Sequence, residues 1–177
     1  MSVTELTETT QFLTFVLDAE VFAVNITQVR EVLDFTTITK VPRTPVFMLG
    51  VINLRGAVVP VVDMRKKFGI EKADKTIKAC IVIMEITLDG ETTILGALVD
   101  SVREVLELEP GQIEPAPRIG TRLKTEFILG MGKREEQFII ILDINKVFSA
   151  DELALQQIPS NEVQLIETKD IGNVPSS

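Results

Sequence analysis

The side chains that most catalytic and metal sites use are scarce in this chain. It contains no His and a single Cys, Cys80, so a Ser-His or Cys-His nucleophile cannot be assembled and zinc sites are effectively excluded. No glycine-rich phosphate cradle is present. Carboxylates and lysines remain, but nothing in their spacing indicates a catalytic pair. The sequence therefore predicts a protein that is not an enzyme and that holds no cofactor or metal.

Charge and aromatic content exclude further classes of partner. The 26 acidic and 18 basic residues give a net charge of −8, and no basic stripe is present, so nucleic acid is not an expected partner. Phe is the only aromatic type, whereas grooves for proline-rich peptides use Tyr and Trp. No apolar run approaches about 20 residues, so membrane insertion is not expected. The start, Met1 to Gln11, is polar and lacks a secretion signal, which favours a cytoplasmic location.

An internal repeat organises the chain. The pentapeptide Val-Arg-Glu-Val-Leu occurs at 29–33 and again at 102–106. These two occurrences are 73 residues apart. At a separation of 80 residues, 47–50 matches 127–130 and 59–68 matches 139–148. Two collinear matches in the same order indicate one small unit used twice.

The two copies differ in one short polar stretch. Asn53-Leu54-Arg55-Gly56 in the first copy corresponds to Lys133-Arg134-Glu135-Glu136 in the second. A shared scaffold preserves its apolar framework, so this local difference favours a function that only one copy performs. Ordinary drift in an exposed hairpin is the alternative explanation.

Short alternating apolar segments punctuated by Gly and Pro predict an all-β protein. Asp63 and Asp143 are expected to cap short helices, and Ser149 with Glu152 is expected to open a C-terminal helix. Strands are predicted from Gln11 and at 21–24, 32–35, 51–55, 57–62, 77–87, 92–99, 102–108 and within 127–142. Two copies of about five strands predict two pseudo-repeated five-stranded barrels that pack side by side.

The predicted organisation is a flexible N-terminus at 1–10, one domain at 11–158 and a flexible tail at 160–177. The first copy covers roughly 18–72 and the second roughly 91–148; whether their outer strands are exchanged is left open. The run 138–142 is apolar at every position, so both faces of that strand are expected to be covered. Cys80 is expected to be buried and inert.

One long motif resembles a known family. Residues 50–56, Gly-Val-Ile-Asn-Leu-Arg-Gly, followed by Val-Val-Pro-Val-Val-Asp at 58–63, are similar to the CheW family of bacterial chemotaxis coupling proteins, as is the run 29–33. The resemblance covers about residues 11–158. It implies two interlocked SH3-like barrels with short helices, in agreement with the strand pattern.

The same resemblance implies a non-catalytic adaptor that couples chemoreceptors (methyl-accepting chemotaxis proteins) to the histidine kinase CheA in a two-component signalling array. The expected partners are the regulatory domain of CheA, the cytoplasmic hairpin tip of the receptor, and further CheW copies in rings. The protein would then be cytoplasmic and recruited to membrane-anchored receptor arrays. A coupling protein of a pilus-motility or developmental pathway, and a generic peptide-binding β-barrel module, are the alternatives.

The family pattern places the receptor-contact arginine at Arg55 and its partner at Glu31, with Val29 nearby. Arg suits such a contact because its fork makes several directed hydrogen bonds while its stem packs on apolar surface. Asn53, Leu54 and Gly56 complete the predicted receptor-binding set.

Each of these residues also has a simpler interpretation. Glu31 and Arg55 can form a weak surface ion pair, and Asn53 and Gly56 are typical turn residues. The second copy keeps the carboxylate, as Glu104, but has Glu135 where Arg55 stands, so no equivalent ion pair is expected there.

Overall fold

The computed structural model describes residues 8–70, 79–116 and 125–148. The predicted C-terminal helix after Ser149, the tail at 160–177 and residues 1–7 of the predicted flexible N-terminus lie outside the described residues. The eleven strands in the described part are β1 Thr10–Leu17, β2 Glu20–Asn25, β3 Val29–Asp34, β4 Met48–Leu54, β5 Ala57–Asp63, β6 Cys80–Leu88, β7 Glu91–Val99, β8 Ser101–Leu108, β9 Ile113–Glu114, β10 Ile128–Arg134 and β11 Gln137–Leu142. The helices are α1 Met64–Lys67 and α2 Ile144–Val147, with 3-10 turns at Ile26–Gln28, Pro110–Gln112 and Thr125–Phe127.

The strands form two sheets, which confirms the predicted all-β class. One sheet has the order β3-β6-β7-β5-β4, and the other has the order β8-β1-β2-β11-β10-β9. We call the first the Arg55 barrel and the second the Glu135 barrel, after the residue at the tip of the last hairpin of each. Each barrel takes two strands from one half of the chain and the rest from the other half, so the two halves are interlocked.

The register of the two barrels follows the repeat strand by strand. In the Arg55 barrel Met84 pairs with Val29 on one side and with Leu95 on the other. In the Glu135 barrel Phe15 occupies the corresponding place, between Val102 and Phe22. The parallel pairing of β5 with β7 is likewise matched by that of β11 with β2. Equivalent positions in the two barrels can therefore be compared side chain by side chain.

Strand alternation divides the apolar side chains among three clusters. On β1, Leu13, Phe15 and Leu17 enter the largest cluster, which lies between the barrels, whereas Phe12 enters the interior of the Glu135 barrel. On β6, Met84 belongs to the shared cluster and Ile83 to the interior of the Arg55 barrel. Because both sheets contribute to the largest cluster, neither barrel buries its apolar surface alone.

Short turns and caps fix the ends of the elements. Asp63 caps α1 by accepting hydrogen bonds from the backbone N–H groups of Arg65 and Lys66, as predicted. Asp143 occupies the predicted N-cap position of α2 but makes no side-chain capping hydrogen bond; its carboxylate lies 3.9 Å from the Lys146 ammonium.

Three local predictions are wrong. β4 ends at Leu54, so Arg55 belongs to a turn and not to the strand. Phe138 is exposed although its strand is apolar throughout, because the shared core covers Ile140 on the same face but does not reach the start of the strand. Cys80 is only partly buried, since it begins β6 at the end of the sheet.

Candidate partner-binding site

Glu31 and Arg55 meet where the Arg55 barrel closes. Glu31 lies on β3 and Arg55 in the turn between β4 and β5, and β3 and β4 are the opposite edges of the same sheet. A contact between the two side chains therefore requires the sheet to curl until its edges approach. Glu31 pairs with Ile83, whose side chain lies inside this barrel, so the carboxylate stands at the open end of the barrel.

The two side chains form a two-point ion pair. Arg55 Nη1 donates to Glu31 Oε1 at 3.4 Å, and Nη2 donates to Oε2. The Arg55 side chain remains 71% exposed while that of Glu31 is 28% exposed. The hydrogen bond to Glu31, followed by the attraction of its charge, raises the pKa of Arg55 above its usual range. The guanidinium is thus held by one carboxylate, stays charged, and is presented to solvent.

The turn that carries Arg55 is a tight two-residue turn. Leu54 pairs with Ala57, and both central residues have positive φ, 51° at Arg55 and 88° at Gly56. Two consecutive positive φ values are typical of a type I′ turn, which matches the twist of a hairpin. The Asn53 side chain accepts a hydrogen bond from the Gly56 N–H at 2.8 Å and so closes the turn. An added Cβ at Gly56 would meet nothing within 4 Å, so Gly is needed there for its conformation and not for space.

The remaining predicted residues lie on the strands beneath the ion pair. Val29 begins β3 and packs against the shared core, and Leu54 packs against the interior cluster of the Arg55 barrel. Both are only partly buried. The structure therefore brings all six predicted residues to β3 and the β4–β5 hairpin. Within this set Arg55 and Glu31 hold the charged contact, while Asn53 and Gly56 form the turn.

The prediction that the second copy forms no equivalent ion pair is wrong. Glu104, the repeat partner of Glu31, lies 3.7 Å from Arg134. Arg134 precedes the turn residue Glu135 and corresponds to Leu54, so a guanidinium reaches the carboxylate from one residue earlier. Alignment of the two copies sets Glu135 against Arg55 and so misses Arg134. The residue that directly precedes Glu135 in the sequence was the signal that could have found it. The second pair is longer and its two side chains are each about half exposed.

Residues 8–70, 79–116 and 125–148, which the structure describes, also bear on metal binding and membrane insertion. Within these ranges no group of three or more His, Cys, Asp or Glu side chains lies close enough to hold a metal ion. No helix in the same ranges is both long and apolar enough to cross a membrane.

Comparison with known proteins agrees with the sequence resemblance. The model of the CheW-like domain family matches residues 11–152. Chemotaxis protein CheW of Klebsiella aerogenes is 36% identical over 148 residues, which are 82% of this chain and 85% of that protein. Chemotaxis protein CheW of Thermotoga maritima is 34% identical over 140 residues, 77% of this chain and 86% of that protein.

A solved structure also matches the fold. The crystal structure of the scaffolding protein TtCheW from Thermoanaerobacter tengcongensis superimposes with a TM-score of 0.72 at 37% identity, covering 81% of this chain and 94% of that one. The family match covers most of the chain, and the curated relatives are matched over most of their own length. The chain belongs to the CheW-like domain family.

Proposed function

We propose that the protein is a non-catalytic adaptor that couples chemoreceptors to the histidine kinase CheA in a chemotaxis signalling array. Membership of the CheW-like family supports the general role, as do relatives named chemotaxis protein CheW and a structural neighbour named a scaffolding protein. The observation that carries the proposal is the exposed Arg55 guanidinium, held by Glu31 at the open end of one barrel. Such a group can bind a partner without taking part in bond-making.

In this proposal Arg55 contacts the cytoplasmic hairpin tip of the receptor. A guanidinium whose fork is oriented by one carboxylate keeps further N–H donors for a partner, and it loses less side-chain freedom on binding than an unrestrained one. Glu31 therefore acts as a positioning residue, and Asn53 and Gly56 hold the turn on which Arg55 stands. Val29 and Leu54 supply partly exposed apolar surface beside the charged contact.

The other faces of the molecule are left for the regulatory domain of CheA and for further copies of family members. Two similar barrels give one molecule two contact ends, which suits a component that alternates with a related domain in a ring. Recruitment to membrane-anchored receptors would then follow from the receptor contact.

The test is co-sedimentation of the full chain with receptor-containing membranes, together with a pull-down on the CheA regulatory domain. Arg55→Ala is expected to weaken receptor binding about thirtyfold, the loss typical of a central interface arginine. Arg134→Ala, which removes the corresponding guanidinium of the other barrel, is the matched control and should leave receptor binding unchanged. Receptor binding that survives Arg55→Ala would refute the assigned role, and a wild-type chain that captures no CheA domain would refute the adaptor.

A further inference from the structure

The Glu135 barrel has an open pocket at the end that corresponds to the Glu31–Arg55 site. The pocket has a volume of about 200 Å³. Its lining combines interior side chains of the barrel with charged residues of β8 and of the β10–β11 hairpin: Thr14, Val21, Arg103, Glu104, Leu106, Arg134, Glu135, Gln137 and Ile139.

The repeat explains why this end of the barrel is open. In the Arg55 barrel the position of Thr14 is held by Ile83 and that of Arg134 by Leu54, and both apolar side chains join the interior cluster. Thr14 is 1% exposed and its hydroxyl is engaged with the backbone of Glu104, donating to the carbonyl at 2.7 Å and accepting from the N–H at 3.0 Å. Polar groups thus replace the apolar side chains that fill the other barrel.

The two carboxylates of the pocket, Glu104 and Glu135, stand at the positions that Glu31 and Arg55 occupy in the other barrel. Glu104 corresponds to Glu31, and Glu135 stands on the turn where Arg55 stands, with nearly the same backbone conformation, φ 58° against 51°. In the Arg55 barrel those two positions are occupied by a carboxylate and an arginine in contact. In the Glu135 barrel both are carboxylates, and the guanidinium nearest Glu104 is that of Arg134, at the longer distance of 3.7 Å.

The long ion pair with Arg134 leaves Glu104 partly accessible. Arg134 lies 3.7 Å from Glu104, beyond hydrogen-bond distance, and about half of each side chain is exposed. Arg103 also lines the pocket, so the pocket contains two arginines and two glutamates. The chain as a whole carries a net charge of −8, which favours the approach of a cation over that of an anion.

We propose that this pocket binds an arginine side chain of a partner protein, with the guanidinium between Glu104 and Glu135 and beside the amide of Gln137. The incoming guanidinium would take the role that Arg55 plays within the other barrel. Two carboxylates can accept several of its N–H groups, and hydrogen bonds between ionised groups are stronger than neutral ones. The inference goes beyond the receptor contact and does not require Arg55 to bind anything.

The probe is N-acetyl-arginine methylamide, added to the isotopically labelled full chain and followed by NMR. A single side chain in a shallow pocket is expected to bind with a dissociation constant on the order of millimolar. Shifts should concentrate on the backbone amides of Thr14, Glu104 and residues 134–137. The citrulline analogue, which has the same shape without the charge, should cause no shifts there.

Three variants make the assignment specific. Glu104→Gln with Glu135→Gln should reduce the affinity at least tenfold, and Glu135→Arg, which supplies the guanidinium from within the chain, should abolish binding. Glu31→Gln changes the corresponding carboxylate of the other barrel and should have no effect. Spectra that are unchanged away from the pocket confirm that each variant is folded.

The proposal is overturned if the arginine shifts are spread over the surface, if the citrulline analogue reproduces them, or if Glu135→Arg still binds. It is also overturned if N-acetyl-glycinate, a carboxylate probe, shifts the same amides more strongly, because the pocket would then be an anion site formed by Arg103 and Arg134.

Discussion

The open ends of the two barrels share their strand order and register but differ in what fills them. In the Arg55 barrel, apolar side chains such as Leu54 and Ile83 occupy the interior and the Glu31–Arg55 pair lies across the opening. In the Glu135 barrel, Thr14 and Arg134 take those places, and the opening is a polar pocket. One end presents the Arg55 guanidinium to solvent, and the other presents two carboxylates and two guanidinium groups around a pocket.

The difference shows how a duplicated scaffold can present two different sets of side chains at equivalent ends. The framework positions, including the paired strands and the register shifts at Met48/Gly50 and Ile128/Gly130, are the same in both barrels. The changes are confined to the hairpin tip and to a few side chains beneath it. Since an adaptor must bind more than one partner, two chemically different ends on one chain suit that role.

The largest effect on stability is expected from Ile83→Thr, which makes the interior of the Arg55 barrel resemble that of the other. Ile83 is fully buried, so the change removes apolar contacts and buries a hydroxyl among apolar neighbours. The free energy of unfolding should fall by about 3 kcal/mol. Urea denaturation followed by circular dichroism measures it; a loss below about 0.5 kcal/mol would mean that the two interiors are interchangeable.

Thr14→Val tests the opposite substitution and should cost about 2 kcal/mol. Val has the same shape as Thr but leaves the N–H and carbonyl of Glu104 without the hydroxyl that bonds them where the β1–β8 register shifts. Thr14→Ser is the control, because it keeps the hydroxyl that bonds the backbone of Glu104 and removes only a methyl group. Equal stability of the Val and wild-type chains in urea denaturation would contradict a structural role for this hydrogen bond.

Gly56→Ala should lower the free energy of unfolding by about 1 kcal/mol, because φ is 88° there although an added Cβ meets no atom. Gly111→Ala is the matched control: that glycine also has free space around its Cβ, but its φ is not in the left-handed region. The same denaturation experiment compares the two variants. If both cost the same, the conformation of the Arg55 turn is not what requires glycine.

The smallest effects are expected from the ion pairs themselves. Arg55→Gln and Arg134→Gln should each leave the thermal unfolding midpoint unchanged within error, since both pairs are exposed to solvent. A clear drop for Arg55→Gln alone, measured by scanning calorimetry, would mean that its effect on receptor binding reflects folding and not contact.

Receptor binding through Arg55 should also be independent of pH between about 6 and 9. Glu31 raises the pKa of the Arg55 guanidinium, so the guanidinium is charged throughout this window and loses its charge only as the pH rises through a value above the ordinary range for arginine. Co-sedimentation at three pH values checks this. A steady decline across that window would implicate a different titrating group.

Much of the fold was predictable from local pattern. Period-2 alternation located β1 and β2 and assigned Leu13, Phe15 and Leu17 to one face, because alternate side chains of a strand must point to opposite sides. The cap at Asp63 followed from its carboxylate and its place before the helix. The exposure of Phe138 was not predictable from the run itself, because coverage of a strand face depends on how far the shared core extends.

The candidate site was predictable in part. The motif at 50–56 and its likeness to the CheW family identified Arg55 and Glu31, and the structure places them in contact. The pair between Glu104 and Arg134 was missed, because a side chain can reach a carboxylate from a neighbouring position when the sheet is curled. The pocket could not be predicted either, since Thr14 and Arg134 are 120 residues apart in the chain.

The amino-acid sequence by itself determined the strands, the duplication and the residue types at each hairpin tip, because these depend on alternation, turn chemistry and composition. Only the tertiary structure decided which strands share a sheet and which hairpin tip lies over which interior. Strand exchange between the halves and the closure of each sheet bring Glu31 to Arg55 and Glu104 to Arg134, and both are consequences of packing around a core that neither half can bury alone.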